Sequence, residues 1–337
     1  MMDHQVDSQK KVYFYAPDKQ THRFFEQERE EVIKACSNSF TAWIVSTYLQ
    51  VKQVGISCEV IDHIPQKGIV IADRDTLGNK YPYLGQAMLI CAKSDKEFHP
   101  SAHLHVVHNS AILDKTGKNS LWKPYYIPHW SQPGLVPRSH NRGSLVENVA
   151  FIGTRTNLAK EFFSEKWVSA LKDLGCRWIP VFDSEKWSDY SNIDVIIAIR
   201  DFDQHIFSHK PASKLINSWH ASVPAILAPE SAFLSIRNSE LDFLIVHSIE
   251  EAISAVRELK NNPTLYFSMI EHGLNRAQEF SDEKITDYWI TFFKNYVFPE
   301  YDRWLKSSTV SRMSLFLRRY FRLKTDRIRR RLLGKHE

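Results

Sequence analysis

Residues 209–227 read HKPASKLINSWHASVPAIL, and the interpretation of the whole chain starts from this stretch. A proline-containing loop is followed by Ser213, which can cap a helix, then by a helical run, a Val-Pro turn and an apolar strand. A loop, a helix and a buried strand in this order are typical of an open α/β sheet. The start of the helix is also a candidate anion site, because free N–H groups and the positive end of the helix dipole meet there beside Lys210 and Lys214.

Short apolar runs alternate with helical patterns in both halves of the chain. In the first half, strands are predicted at 12–16, 58–61, 68–72, 87–92 and 104–107, and helical patterns run from 25 to 53. In the second half, strands are predicted at 149–152, 177–182, 195–199, 225–227 and 243–246, and helices at 159–174, 214–220, 249–260, 263–280 and 282–296. The sequence therefore predicts two α/β sheets in series.

A proline-rich stretch separates the two halves. Residues 124–137 contain four prolines, at 124, 128, 133 and 137, and no regular element is predicted there because each proline fixes φ and lacks an N–H donor. We therefore expect an N-terminal α/β domain at 1–126, a linker at 127–144, a second α/β domain at 145–298 and a C-terminal tail at 299–337. Two such domains bind a ligand in a cleft at the carboxyl ends of their strands.

The composition is that of a folded protein from a reducing compartment. Of the 337 residues, 43% are hydrophobic and 25% charged, which excludes a disordered chain. The four cysteines include no C-x-x-C pair that could begin a zinc or iron–sulfur site. No apolar run has the length of a membrane-spanning helix, and the first residues are polar rather than signal-like, so we expect a cytoplasmic location.

The tail carries the positive charge of the chain. Residues 312–335 contain ten basic side chains and one acidic one, whereas the whole chain has a net charge of +5, so the remainder is mildly acidic. Apolar side chains recur among the arginines at helical spacing, which predicts a basic amphipathic helix. These apolar residues are Met313, Phe316, Leu317, Tyr320 and Phe321.

Such a helix can lie on an anionic membrane surface. The residues that we expect to contact it are Arg318, Arg319, Phe321 and Arg322. Packing of the helix on its own domain is an alternative. Nucleic acid is a weaker one, because no recognised nucleic-acid-binding module accompanies the basic segment, and we expect no nucleic-acid partner.

Three motifs in the second half resemble the donor-binding domain of GT-B glycosyltransferases. In that family a K-P-x-x-K-type loop leads into a helix and then through a Val-Pro turn into a strand, as at 210–227. Residues 149–155 (VAFIGTR) resemble the first strand and the phosphate-facing turn of that domain, and residues 190–200 (YSNIDVIIAIR) support the same assignment. The resemblance covers the chain from 148 to about 289 and implies two Rossmann-like domains that face a cleft.

The resemblance also implies a nucleotide-linked sugar as the donor. Its diphosphate would lie near Gly153, Thr154, Arg155, Arg200, Lys210, Ser213 and Lys214. Cations and N–H groups fixed there would stabilise the charge that develops on the leaving phosphate, so no metal and no cofactor besides the nucleotide sugar is implied. Many members hold the ribose with a carboxylate on the helix, where this chain has Asn217, and Glu230 is the replacement that we consider. Ser222 stands where the family often has glycine.

On the acceptor side, an inverting transfer needs a general base, usually His, Asp or Glu, whereas a retaining transfer does not. Asp73 and Asp75 follow the strand at 68–72, and His108 follows the strand at 104–107. We take Asp73 and His108 as the catalytic candidates. Asp73 and Asp75, like Asp201 and Asp203, also have the D-x-D spacing of metal-dependent glycosyltransferases, but this spacing alone is weak evidence and we expect no metal.

These features predict a glycosyltransferase of hexosyl or pentosyl type at the inner face of the cytoplasmic membrane. It would move a sugar from a nucleotide-linked donor to a glycan or lipid-linked acceptor in bacterial surface polysaccharide synthesis. Two alternatives stay open on the same scaffold. A nucleotide-sugar epimerase or a phosphorylase is one, and an epimerase would turn over the nucleotide sugar without an acceptor. A non-catalytic nucleotide- or glycan-binding protein is the other, and it would bind without turnover.

Overall fold

The computed structural model describes residues 10–26, 40–79, 81–83, 85–116, 120–203 and 207–333. They form two α/β units. The first contains the chain up to residue 129, residues 209–211 and the chain from residue 283 onward, and the second contains 130–208 and 212–282. The two predicted α/β sheets are both present, one in each unit.

The first unit is built on a parallel sheet of six strands. They are β1 (Val12–Tyr15), β2 (Cys58–Ile61), β3 (Lys67–Asp73), β4 (Gln86–Ala92), β5 (Leu104–Val107) and β6 (Pro124–Tyr126), in the order β2-β1-β3-β4-β5-β6. Its first helices are α1 (Arg23–Glu26), α2 (Ser46–Gln53), α3 (Arg74–Leu77) and α4 (Ala111–Thr116), with a π-helical turn at Thr41–Val45 before α2. Apart from their first residues, β3 and β4 are buried, as expected for central parallel strands covered on both faces.

The proline-rich stretch is more regular than predicted. Its first three residues form β6, which pairs with β5 at the edge of the sheet. Pro124 is the first residue of this strand, a position where a proline is tolerated because its missing N–H is not needed by the edge ladder. The prediction that no regular element occurs between Pro124 and Pro137 is therefore wrong for residues 124–126.

The second unit has a parallel sheet of five strands. They are β7 (Asn148–Ile152), β8 (Arg177–Val181), β9 (Val195–Ala198), β10 (Ala225–Leu227) and β11 (Leu244–Ile245), in the order β11-β10-β9-β7-β8. Its helices are α5 (Glu165–Asp173), α6 (Ser213–His220), α7 (Ser231–Leu234), α8 (Ile249–Asn261) and α9 (Pro263–Glu279). Side-chain caps from Ser164, Ser248 and Asn262 begin α5, α8 and α9.

Two predicted helices are shorter or interrupted. The helix predicted at 159–174 begins as a 3-10 turn at Lys160–Phe163, and α5 starts only after Ser164, whose hydroxyl accepts a hydrogen bond from Trp167 N. The helical pattern predicted at 25–53 corresponds to α1, the π turn and α2, and its middle part lies outside the described residues.

Residues 130–144 of the linker predicted at 127–144 belong to the second unit, as do the residues that follow them up to β7. Arg138 and Arg142 both donate hydrogen bonds to Asp194, at 2.9 and 2.7 Å from their Nε atoms, and Asp194 is fully buried. Burial alone would raise the pKa of Asp194, but hydrogen bonds from Arg142 and from the N–H groups of Glu147 and Asn148 hold it below the usual carboxyl value. This carboxylate fixes the stretch before β7 against the start of β9.

The C-terminal helices pack with the first unit. They are α10 (Asp282–Phe292), a π-helical turn at Phe293–Val297, α11 (Phe298–Lys306) and α12 (Thr309–Leu333). Tyr125 of β6 stacks on Phe292 with ring centroids 4.6 Å apart, and Glu300 of α11 bonds His103 at 2.6 Å. The sequence predicts a second domain that extends to residue 298, whereas the contacts join the chain from 283 onward to the first unit. Among the described helices, each is too short or too polar to cross a bilayer.

Candidate functional site

Polar groups gather at the carboxyl ends of the central strands of the second unit. Gly153 follows β7 with φ +147, and a Cβ at this position would collide with the Nζ atom of Lys214. Lys214, in the first turn of α6, donates a hydrogen bond to the carbonyl of Ile152 and lies 4.8 Å from the centre of the Phe151 ring. The glycine therefore allows the ammonium group to lie against the end of β7.

The N-terminus of α6 lies beside these groups. Ala212, not Ser213 as predicted, occupies the capping position, and Ser213 is the first helical residue. No side chain of the described residues caps this helix end, which leaves the first backbone N–H groups without the side-chain acceptor that a Ser, Thr, Asp or Asn cap supplies. A helix start of this kind attracts anions.

A buried ion pair joins the ends of β9 and β10. Arg200 donates a hydrogen bond from Nη1 to Oε2 of Glu230, whose side chain is only 2% exposed. The other carboxylate oxygen, Oε1, is buried and has no hydrogen-bond partner among the described residues. Burial raises the pKa of Glu230, while Arg200 and, more weakly, Lys214 act in the opposite direction. The Oε1 atom of Glu230 is thus an unused hydrogen-bond acceptor at the ends of β9 and β10, as far as the described residues show.

Arg155 is an exposed cation held on an aromatic surface. Its guanidinium lies 4.3 Å from the centre of the Phe163 ring and 5.6 Å from that of Phe182. No carboxylate in the described part of the chain pairs with it. The neighbouring Thr154 accepts a 2.7 Å hydrogen bond from Asn157. The sequence interpretation missed the two phenylalanines. Phe163 ends the 3-10 turn at Lys160–Phe163, and Phe182 directly follows β8.

Asn217 and Lys210 are already engaged within the protein. The Oδ1 atom of Asn217 accepts a 2.9 Å hydrogen bond from Gln132 N, and its side chain also bonds Tyr190. Asn217 is therefore a structural residue of the second unit. Lys210, grouped with the first unit, pairs with Asp95 at 2.8 Å.

In the first unit, Asp73 acts as the cap of a short helix. Its Oδ1 atom accepts hydrogen bonds from Asp75 N at 2.8 Å and Thr76 N at 3.3 Å, and these hydrogen bonds begin α3. Burial raises the pKa of Asp73, partly offset by these two bonds. In the other D-x-D pair, Asp201 accepts a hydrogen bond from Asp203 N at 3.2 Å. The described residues contain no group of three or more His, Cys, Asp or Glu side chains placed to hold a metal ion.

His108 lies at the carboxyl end of β5 and is buried. Its Nδ1 atom is 3.0 Å from the carbonyl of Ile127 and must donate to it, whereas Nε2 has no partner among the described residues. The imidazole stacks on Trp43, and burial lowers its pKa well below the usual value. His108 is thus a neutral imidazole with an available lone pair on Nε2. Trp43 was not recognised from sequence, because a lone tryptophan in a helical pattern gives no signal of its partner.

Comparison with solved structures identifies the fold. Sucrose-phosphate synthase from Thermosynechococcus elongatus superposes with a TM-score of 0.55 at 10% sequence identity, covering 86% of this chain and 99% of that one. HepE from Anabaena, solved with UDP and glucose, superposes with a TM-score of 0.50 at 9% identity, covering 82% of this chain and 97% of HepE. The chain has a GT-B fold.

The GT-B assignment agrees with the fold class predicted from the sequence, including the C-terminal helix. At the level of sequence, no family model and no curated protein matches this chain. The similarity to both solved structures therefore concerns the fold. What the chain does has to be argued from its own residues.

Proposed function

We propose that this protein is a glycosyltransferase that uses a nucleotide-linked sugar as donor. The observation that carries the proposal is the cluster at the carboxyl edge of the second sheet: Lys214, the Arg200–Glu230 pair and the start of α6. It combines two cations and a helix N-terminus, which suit a diphosphate, with a buried carboxylate oxygen that suits a ribose hydroxyl.

Each group has a definite role in this proposal. Lys214, Arg155 and the first N–H groups of α6 would bind the diphosphate, with Arg200 close by. When the bond between the sugar and the phosphate breaks, negative charge develops on the leaving phosphate, and cations already fixed in place lower the barrier. Glu230 would accept a hydrogen bond from the ribose at Oε1, the role that Asn217 cannot take. We propose that no metal is needed for this step.

His108 is our candidate base if the transfer inverts configuration. Its Nε2 lone pair would take the proton of the acceptor hydroxyl while the acceptor oxygen bonds to the anomeric carbon and the nucleoside diphosphate leaves. Asp73 is the weaker candidate, because its Oδ1 atom already caps α3. The acceptor that we propose is a glycan or lipid-linked glycan in bacterial surface polysaccharide synthesis, and the transferred group is a hexose or pentose. HepE was crystallised with UDP and glucose, and we take UDP-hexoses as the first donors to try.

Thermal unfolding in the presence of UDP, GDP, ADP, TDP and CMP tests donor binding. A nucleotide at a hundredfold its Kd adds about 2.7 kcal/mol of stability, and we expect one nucleotide to stand out. Lys214→Met and Glu230→Gln should lose this added stability. The matched control is Lys186→Met, which removes an exposed lysine from the same unit.

Each variant is first melted without nucleotide, so that a loss of fold is separated from a loss of binding. A folded wild type that no nucleotide stabilises would contradict the proposal. A nucleotide sugar that turns over without acceptor would identify an epimerase. Binding without turnover by any acceptor would favour a non-catalytic protein. For His108→Gln we expect normal nucleotide stabilisation and a loss of kcat with little change in the KM for donor.

A further inference from the structure

Helix α12 has two different apolar faces, and in the described part of the chain one of them packs on other residues while the second is exposed. Phe316 and Tyr320 turn inward, 6.1 and 5.7 Å from the ring of Tyr81, and Leu323 is buried. Arg319 lies on the same inner face and is also buried. Two of the five apolar residues that predicted a membrane-facing stripe, Phe316 and Tyr320, therefore lie on the packing face of the helix.

Arg319 and Arg327 hold this inner face in place. Arg319 donates hydrogen bonds to the carbonyls of Leu121, Ala102 and His103, the first at 2.7 Å. Arg327 donates to the carboxylate of Glu97, at 3.1 Å from its Nε atom. Because Arg319 is buried and its guanidinium donates to three backbone carbonyls, it cannot contact a membrane. The expectation from the sequence is wrong for this residue.

The opposite face carries a second apolar row that nothing in the described chain covers. Its members are Val310, Leu317, Phe321, Ile328 and Leu332, and they are between 43% and 79% exposed. With 3.6 residues per turn, these five positions fall within an arc of about 60° and lie opposite Arg319. The row runs along nearly the whole of α12. Because the opposite face of the helix packs on the first unit, the row points away from it.

Exposed cations border this row on both sides. On the same helical projection, Arg318, Arg322 and Arg329 lie along one edge of the row, and Lys324 and Arg331 along the other. Arg322 also pairs with Asp326 at 3.1 Å. An apolar centre flanked by cations is the pattern of a helix that lies in the plane of an anionic lipid surface.

We propose that the outer face of α12, defined by the apolar row and its five flanking cations, binds an anionic lipid bilayer. The row would enter the interface between headgroups and acyl chains while the cations contact lipid phosphates. The cytoplasmic leaflet carries such a negative surface, and we place the protein there. Charge complementarity favours lipid over a second copy of the chain, since two copies of this face would bring like charges together.

Flotation of the full-length protein with lipid vesicles tests the proposal. We expect binding to vesicles of phosphatidylcholine with about one third phosphatidylglycerol, weaker binding to phosphatidylcholine alone, and a loss of binding at high salt. Phe321→Ser with Ile328→Ser should reduce binding at least about tenfold. Arg318→Gln with Arg322→Gln and Arg329→Gln should reduce it by about a hundredfold, because each cation contributes roughly a fivefold gain.

The controls make changes of the same chemical kind in the second unit. Phe267→Ser alters another half-exposed aromatic residue, and Lys160→Gln with Lys172→Gln and Arg257→Gln removes three exposed cations. Binding equal to that of the wild type is expected for both. The proposal is overturned if folded wild-type protein does not float with anionic vesicles, or if the α12 variants bind as well as the controls. It is also overturned if these variants instead abolish a dimer or the binding of duplex DNA.

Discussion

Asp73 illustrates how a residue that was singled out for chemistry can be explained by local structure. Because its Oδ1 atom caps α3, Asp73→Ala should lower the free energy of unfolding by about 1 kcal/mol. Asp73→Asn should be nearly neutral, since asparagine caps helices equally well. Urea unfolding of both variants gives the comparison. Full loss of transfer in the stable Asn variant would restore Asp73 as a catalytic base, and an Ala variant as stable as wild type would contradict the cap.

Ser222 stands where GT-B glycosyltransferases often have glycine, and its backbone explains why. Its φ is +58, in the left-handed region that side chains other than glycine disfavour. Ser222→Gly removes about 1–2 kcal/mol of strain but adds freedom to the unfolded chain. We expect a net gain of about 0.5–1 kcal/mol in the free energy of unfolding. Ser235→Gly, at a serine with negative φ, should not be stabilising, and a gain of equal size there would argue against strain at Ser222.

At the scale of elements, Asp194 organises the segment that precedes β7. Asp194→Asn leaves the buried Arg138 without its charged partner and Arg142 with only the longer contact to Glu147, 3.3 Å, among the described residues, so we expect a loss of about 3 kcal/mol in the free energy of unfolding at pH 7. The pKa of Asp194 is lowered in the folded protein. Its ionised form therefore stabilises the fold above the ordinary carboxyl pKa, and this contribution is lost as the pH falls through the lowered value.

Urea unfolding at several pH values distinguishes this contribution from a packing effect. The difference between wild type and Asp194→Asn should be constant near neutral pH and shrink below about pH 4. A difference that does not change with pH would mean that Asp194 acts by packing alone.

The sequence predicts this level of structure well where the signal is local. Ten of the strands follow short apolar runs such as Val149–Ile152, and α9 begins at Pro263 as expected from the absent donor. The parts that could not be predicted depend on partners distant in sequence. Examples are Arg319, whose acceptors lie about 200 positions away, and the pairing of Arg200 with Glu230. A helical pattern predicts a face, but it does not say which of two apolar faces will be covered.

At the scale of the whole molecule, the two units should respond differently to acid. Among its described residues the first unit has four buried imidazoles, and burial is the main cause of a lowered pKa in each. The pKa falls to about 3 in His99 and to about 4 in His103, and it lies well below the usual value in His105 and His108. Below pH 6.5 the unfolded chain binds protons that the folded unit excludes, so stability falls with decreasing pH. Each group costs about 1.4 kcal/mol per pH unit in this range.

We therefore expect the first unit to open before the second between pH 6.5 and 4. In the second unit the fixed charge of Asp194 resists protonation until lower pH. Hydrogen exchange at pH 7 and pH 5, corrected for the intrinsic exchange rate, should show protection lost in β4 and β5 while β7 and β9 stay protected. His105→Gln removes one of the titrating groups, so any loss of stability that it causes at pH 7 should shrink at pH 5. Equal loss of protection in both units would mean that the buried imidazoles do not determine the acid sensitivity, because the described second unit has one imidazole whose pKa is lowered by burial, His220, against four in the first unit.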